Sequence, residues 1–218
     1  MRRHAVIVSL LLCVCGTAAR AQAPSELSSA PNLVEDAGKQ DSWTYRDESV
    51  DFAIYKRFRV EPTVVYAGPE GQWGRTSEAQ KQEYAALLTK GLTEGVAKAY
   101  PVTTDAAPGT ATLRLTLLGV EKAGGPFKAA TSASPLGLIT NTVKSATGKE
   151  GTLSGSVLLS LDMLDAASGK LLFSAVRRRS PEMFDFKAAM ATDDAVRAVA
   201  EGVAESIVKG LDKAGRTH

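Results

Sequence analysis

The chain has 218 residues, 23% of them charged and 44% hydrophobic. That is the size of one compact domain, and the balance argues against disorder, a collagen-like chain or a multi-span membrane protein. The formal charge of +2 comes with only two cysteines and two histidines, which leaves little of the usual catalytic chemistry.

The N-terminus reads as an export signal. Arg2, Arg3 and His4 precede an apolar run from Ala5 to Cys15, broken only by Ser9, and Ala19-Arg20-Ala21 supplies the small residues that signal peptidase needs. The expected cut falls between Ala21 and Gln22. The run is too short for the ~20 apolar residues of a transmembrane helix. Lipidation at Cys13 or Cys15 is the alternative, but Leu12 and Val14 stand where a small residue is required. Membrane contact is therefore expected only if Cys15 is lipidated. Loss of residues 1–21 takes three of the 26 basic residues and none of the 24 acidic ones, turning +2 into about −1. No electrostatic case for nucleic acid remains.

Residues 22–42 are rich in Ala, Ser, Pro, Asn and charge, and read as a flexible arm; residues 43–218 read as a single domain. Phe58 to Tyr66 is rich in β-branched and aromatic residues and reads as a strand, with Pro62 pointing to an edge or a bulge. Ser77 and Gln80 form a capping box. Behind them Tyr84, Leu87, Leu88, Leu92, Val96 and Tyr100 make one helical stripe, ended by Pro101. Gly91 and Gly95 lie beside that stripe and suggest close approach to a sheet.

Ala111 to Glu121 alternates as a half-buried strand. Residues 123–151 are polar and small, with a short helix expected from Ser134 to Gly148. Leu153 to Leu164 and Leu171 to Arg177 read as a hairpin around the turn Asp165–Lys170. Thr192, Asp193 and Asp194 open a last helix with the stripe Val196, Val199, Ala200, Val203, Ile207 and Leu211. The sum is an α+β fold: a twisted, largely antiparallel sheet of about four strands with two main helices packed on it.

Four stretches together carry a resemblance. They are WTYRDES with YKRFRVEPTVVY, then YPVTTDAAPGTATLRLTLLGV, then GTLSGSVLLSLDMLDAASGKLLFSAVRRR, and the closing helix. The chain resembles the bacterial envelope family known only as domain-of-unknown-function family 3313, many of whose members look like lipoproteins. The resemblance implies an envelope protein and brings no established active residues with it. This chain departs from the lipoprotein members in lacking a suitable lipidation cysteine.

Beyond the signal, His218 is the sole imidazole and no cysteine remains, so Ser-His-Asp, zinc and thiol chemistry have no residues to run on. Ser206 and Lys209 spell S-x-x-K, but within an amphipathic helix and without the companion motifs. Asp162 and Asp165 are a carboxylate pair at a strand end, more simply read as a solvated face and a turn. Strand alternation puts Arg177 and Arg179 on one side and Arg178 on the other. These two arginines and the aromatics Trp43, Tyr45 and Trp73 are the weak candidates for a ligand or partner. No catalytic residue, cofactor or metal is expected.

The expected function is that of an exported, periplasmic, non-catalytic protein serving as an envelope interaction or accessory module with protein partners. A binder of a small apolar or glycan ligand is the alternative, and a carboxylate-dependent hydrolase of envelope polymers comes third. An outer-membrane lipoprotein is the alternative location. Intact mass spectrometry of the protein from its own envelope is expected to show a chain that begins at Gln22; acyl chains on Cys15 would overturn the export reading.

Overall fold

The computed structural model describes residues 22–39, 41–121, 156–179 and 192–214. In chain order these form β1 (Val34–Glu35), β2 (Trp43–Arg46), β3 (Arg57–Val60), β4 (Val64–Val65), α1 (Glu78–Ala97), β5 (Thr110–Glu121), β6 (Ser156–Asp165), β7 (Leu171–Arg179) and α2 (Thr192–Ala214). The expected export signal, the expected helix at 134–148 and the stretch holding Phe184 and Phe186 lie outside the described residues.

One sheet holds all seven strands in the order β1-β2-β7-β6-β5-β3, with β4 also beside β5. Two features correct the expectation from sequence: the sheet has seven strands rather than about four, and it is mixed rather than largely antiparallel. The neighbours β1 to β2, β2 to β7, β7 to β6 and β6 to β5 are antiparallel, whereas β3 and β4 run parallel to β5. The parallel pairing follows from α1, which returns the chain to the same end of the sheet before β5 begins. The extra strands are two or four residues long, too short for periodicity to reveal.

Pro62 splits the expected strand 58–66 into β3 and β4 at the sheet edge, since proline has no N–H to give a ladder. At the break the backbone N–H of Thr63 donates to Thr89 Oγ1 of α1 at 2.8 Å. The capping box at the start of α1 is present: Ser77 Oγ accepts from the Gln80 N–H and Gln80 Oε1 from the Ser77 N–H. The expected hairpin of β6 and β7 also forms. Its turn uses Gly169 at φ 72° and the Asp165 carboxylate, which accepts from the Ser168 N–H and hydroxyl.

Both helices cover one face. Leu113, Leu115 and Leu117 of β5 and Leu159, Leu161 and Met163 of β6 meet Leu88, Leu92 and Val96 of α1 and Val196, Val199 and Val203 of α2 in one buried cluster. On the opposite face Leu118 of β5, Leu158 of β6 and Val176 of β7 form a smaller cluster with Trp43, Tyr66 and Leu27. Leu27 comes from the segment read as a flexible arm. In the structure that segment crosses this second face as a strap: the Ser25 and Glu26 N–H groups donate to Glu70 and to the Tyr66 hydroxyl, and β1 pairs with β2.

Gly91 and Gly95 serve a different contact from the one expected. They bring α1 close to α2 rather than to the sheet. A Cβ built on Gly91 would lie 2.7 Å from Ala200 Cβ, and one on Gly95 would press into Ala204. Glycine in a helix interior costs ~1 kcal/mol against alanine, and here the close packing offsets it. Gly210, by contrast, has nothing within 4 Å of a built Cβ. Opposite signs follow from the same substitution. Gly95→Ala is expected to destabilise by ~1–3 kcal/mol through overpacking, while Gly210→Ala stabilises by ~0.5–1 kcal/mol, both read from urea denaturation midpoints.

Candidate functional site

The helix-side core is not closed everywhere. Beyond its contact with α1, the C-terminal half of α2 overlies β6 and β7 across a groove of about 200 Å³. Val203, Ile207 and Leu211 recur every four residues and form its roof; Leu161, Met163 and Phe173 form its floor. Phe52 stands at one end, and Gly210 leaves part of the wall without a side chain. A groove of this size has room for a small apolar group, since an apolar cavity of ~150 Å³ is enough to hold benzene.

Three arginines line the same groove: Arg46, Arg177 and Arg179. The Arg46 guanidinium lies 4.1 Å from the centroid of the Phe52 ring and 3.8 Å from Glu48. Arg177 reaches sideways over β2. Its Nη1 donates to the Trp43 carbonyl at 2.6 Å and to its neighbour Val176 at 2.8 Å. Its Nη2 donates to Thr44 Oγ1 and lies 2.7 Å from the Asp36 carboxylate. For Arg179, burial and the neighbouring Arg177 charge push the guanidinium below its usual pKa. Alternation thus separates the run as expected, because Arg178 turns to the other face and pairs with Asp41 at 2.8 Å.

Of the aromatic candidates, Trp43 and Tyr45 fall on the far side of the sheet from this groove. Trp43 is buried in the cluster beneath the strap. Tyr45, two residues along the same strand, is half-buried and in register with Ser174. Trp73 is half-buried against both clusters, with Lys81 Nζ 4.5 Å from its ring centroid. The structure therefore brings Arg177 together with Arg179 at the groove and gathers Trp43 and Trp73 at the strap cluster, and the bond from Arg177 to the Trp43 carbonyl links the two groups. From sequence, Val203, Ile207 and Leu211 read as a helical core stripe, and neither they nor Phe52 and Phe173 read as site residues. Their spacing signals an apolar face and cannot tell a filled core from an open one.

Asp162 is the charged residue most deeply placed on the strap side. It is 3% exposed, stands in register with Arg114 and Ser174, and accepts from Ser174 Oγ at 2.6 Å. Burial pushes its pKa up, partly offset by the Ser174 and Ser29 hydroxyls and the Arg114 charge. Asp165 does not join it. That carboxylate takes the Tyr55 hydroxyl at 3.1 Å and the Ser168 turn. Likewise Ser206 Oγ donates to the Gly202 carbonyl at 2.8 Å and Lys209 pairs with Glu205 at 3.4 Å, so the S-x-x-K residues are not turned toward each other.

The comparisons with known proteins assign no activity. The model of the family described as "Protein of unknown function (DUF3313)" matches residues 24–207. No curated protein matches. Among solved structures, the PelC dodecamer from Paraburkholderia phytofirmans is 9% identical, covering 75% of this chain and 96% of that one at a TM-score of 0.39. A DUF330 protein from Xanthomonas campestris is 10% identical, with 74% and 86% covered and a TM-score of 0.39. A DUF4136 protein from Bacteroides thetaiotaomicron is 13% identical, with 83% and 97% covered and a TM-score of 0.38. Likenesses at this level transfer neither a ligand nor an assembly.

The raised pKa of Asp162 fixes the sign of a pH effect. Its ionisation is less favourable in the folded than in the unfolded chain, so its cost to stability appears as pH rises through the raised value and vanishes below the ordinary aspartate range. Asp162→Asn keeps the shape and removes the charge. It is expected to raise stability at pH 7 on the order of 1 kcal/mol, or about 2–4 °C in Tm. The gap from the parent should close as pH falls, which thermal unfolding across pH 4–8 would measure.

Proposed function

We propose that this chain, which belongs to the DUF3313 family of proteins of unknown function, is an exported, non-catalytic binding module of the cell envelope that holds a small apolar ligand. Its site is the groove between α2 and the β6–β7 part of the sheet. The observation that carries this reading is the open volume of about 200 Å³ walled by Val203, Ile207, Leu211, Leu161, Met163 and Phe173. Concave, mostly apolar sites with a few polar groups at the rim are where small ligands bind, and the arginines supply such a rim. Export rests on residues 1–21, and the non-catalytic role on a chain whose later residues hold one histidine, His218, and no cysteine. A protein partner in the envelope is compatible with this reading, because a ligand-holding module needs a donor or an acceptor.

The energetics set what the groove can hold. Each buried methylene contributes ~0.8 kcal/mol, so the six of an octanoyl chain give about 5 kcal/mol before ordering costs. That corresponds to binding near the millimolar range from the chain alone. Methyl octanoate, an uncharged chain, is expected to shift the methyl NMR signals of Ile207, Leu161 and Met163. Gly210→Leu should fill the open wall and weaken that binding at least tenfold, with the circular dichroism unchanged. Absence of shifts at these methyls up to the solubility limit of the probe would reject the groove as a ligand site.

A further inference from the structure

Arg177 belongs to two structures at once. It lines the groove, and the same guanidinium holds Asp36 at 2.7 Å together with Thr44 and the Trp43 carbonyl. Asp36 stands just past β1, whose ladder to β2 has only two residue pairs, Val34 with Thr44 and Glu35 with Trp43. Its carboxylate also accepts from Ser42 Oγ at 2.9 Å and Thr44 Oγ1 at 3.0 Å. The strap therefore delivers a carboxylate of this chain to an arginine of the groove wall. Resting on the ligand reading above, we propose that the groove takes a single-chain amphiphile with a carboxylate head, and that Asp36 is a tethered competitor for that head at Arg177, so that binding loosens β1.

The charge around the groove supports this assignment. Three guanidinium groups, those of Arg46, Arg177 and Arg179, line one groove; Asp36 lies on Arg177 and the exposed Glu48 is 3.8 Å from Arg46. A carboxylate head at the groove would meet this concentration of positive charge. A guanidinium presents a planar fork suited to a carboxylate and can turn from one to another without losing its own charge. Asp36 is itself held ionised. Burial would raise its pKa, but the Ser42 and Thr44 hydroxyls and the Arg177 and Lys39 charges outweigh it and keep it below the usual range. The competition is thus between two anions for one cation. By linkage, whatever factor Asp36 removes from ligand affinity, the ligand removes from strap docking.

Octanoate and methyl octanoate test this in the full-length exported chain, since they share a chain and differ in the head. Asp36→Asn is expected to tighten octanoate binding about tenfold, within the usual span of coupling factors, and to leave the ester unchanged. Asp41→Asn is the control, because Asp41 pairs with Arg178 on the other face; it should move neither affinity. In the unsubstituted protein, octanoate but not the ester should speed amide hydrogen exchange at Val34, Glu35 and Asp36. If the ester binds and Asp36→Asn leaves octanoate affinity unchanged, the competition is wrong while the groove stands as a ligand site. An equal gain in Asp41→Asn would reduce the effect to net charge and also overturn it. If neither probe binds any variant, both the groove reading and this inference fall together.

Discussion

The antiparallel ladder between β5 and β6 runs over ten residue pairs, from Ala111 with Asp165 to Glu121 with Ser156, and nearly every residue in it is buried. A strand pair buried on both faces needs a cover on each, and successive side chains are handed to the two covers in turn. Leu159, Leu161 and Met163 meet the helices, whereas Leu158 meets the strap cluster and Asp162 faces Ser174 and Ser29. Alternation past Leu117 puts Leu118 on the strap side, and the register shift between Leu117 and Gly119 lets Val120 rejoin the helix side. Both the helical layer and the strap follow from this one ladder.

The two covers are built differently. On the helix side the contact between α1 and α2 is set by glycine against alanine, at Gly91 with Ala200 and Gly95 with Ala204. That close fit ends near Ala204. From Val203 to Leu211 the helix presents large side chains toward β6 and β7 without closing on them, which is where the groove lies. On the strap side the cover is short and its anchors are mostly polar. Tyr66 donates to Glu70 at 2.6 Å, and this bond leads the influences that bring the Glu70 carboxyl down to about 2. A layer held by carboxylates and hydroxyls at its margins opens locally at lower cost than one held by a packed core.

β7 joins the two sides. Its Ser174, Val176 and Arg178 serve the strap side, through Asp162, the Trp43 cluster and Asp41 in turn, while Phe173, Arg177 and Arg179 line the groove. Arg177 connects the groove to the strap, because its side chain is long enough to cross β2 and meet Asp36. Any event at the groove mouth that changes the charge around Arg177 is therefore felt by the strand that begins the sheet.

The sequence by itself determined the long elements. Ser77 and Gln80 marked the start of α1, the alternation of Leu113, Leu115 and Leu117 marked β5, and the spacing of Val196, Val199, Val203, Ile207 and Leu211 marked α2. Each of these signals is local, with the cause and its effect within a few residues. It also determined that Arg177 and Arg179 share a side. The parallel pairing of β3 with β5 was within reach as well, since a strand, a long helix and a strand form a crossover unit. Only the tertiary structure decided the rest. Two-residue strands such as β1 and β4 exist because a neighbour offers hydrogen bonds, and no pattern of two residues can announce that. Gly95 meets Ala204, more than a hundred residues away, so its role as a helix contact is invisible along the chain. The stripe on α2 is apolar whether its partner fills the space or leaves it open, because hydrophobic spacing records which face turns inward and carries no measure of the volume it meets there.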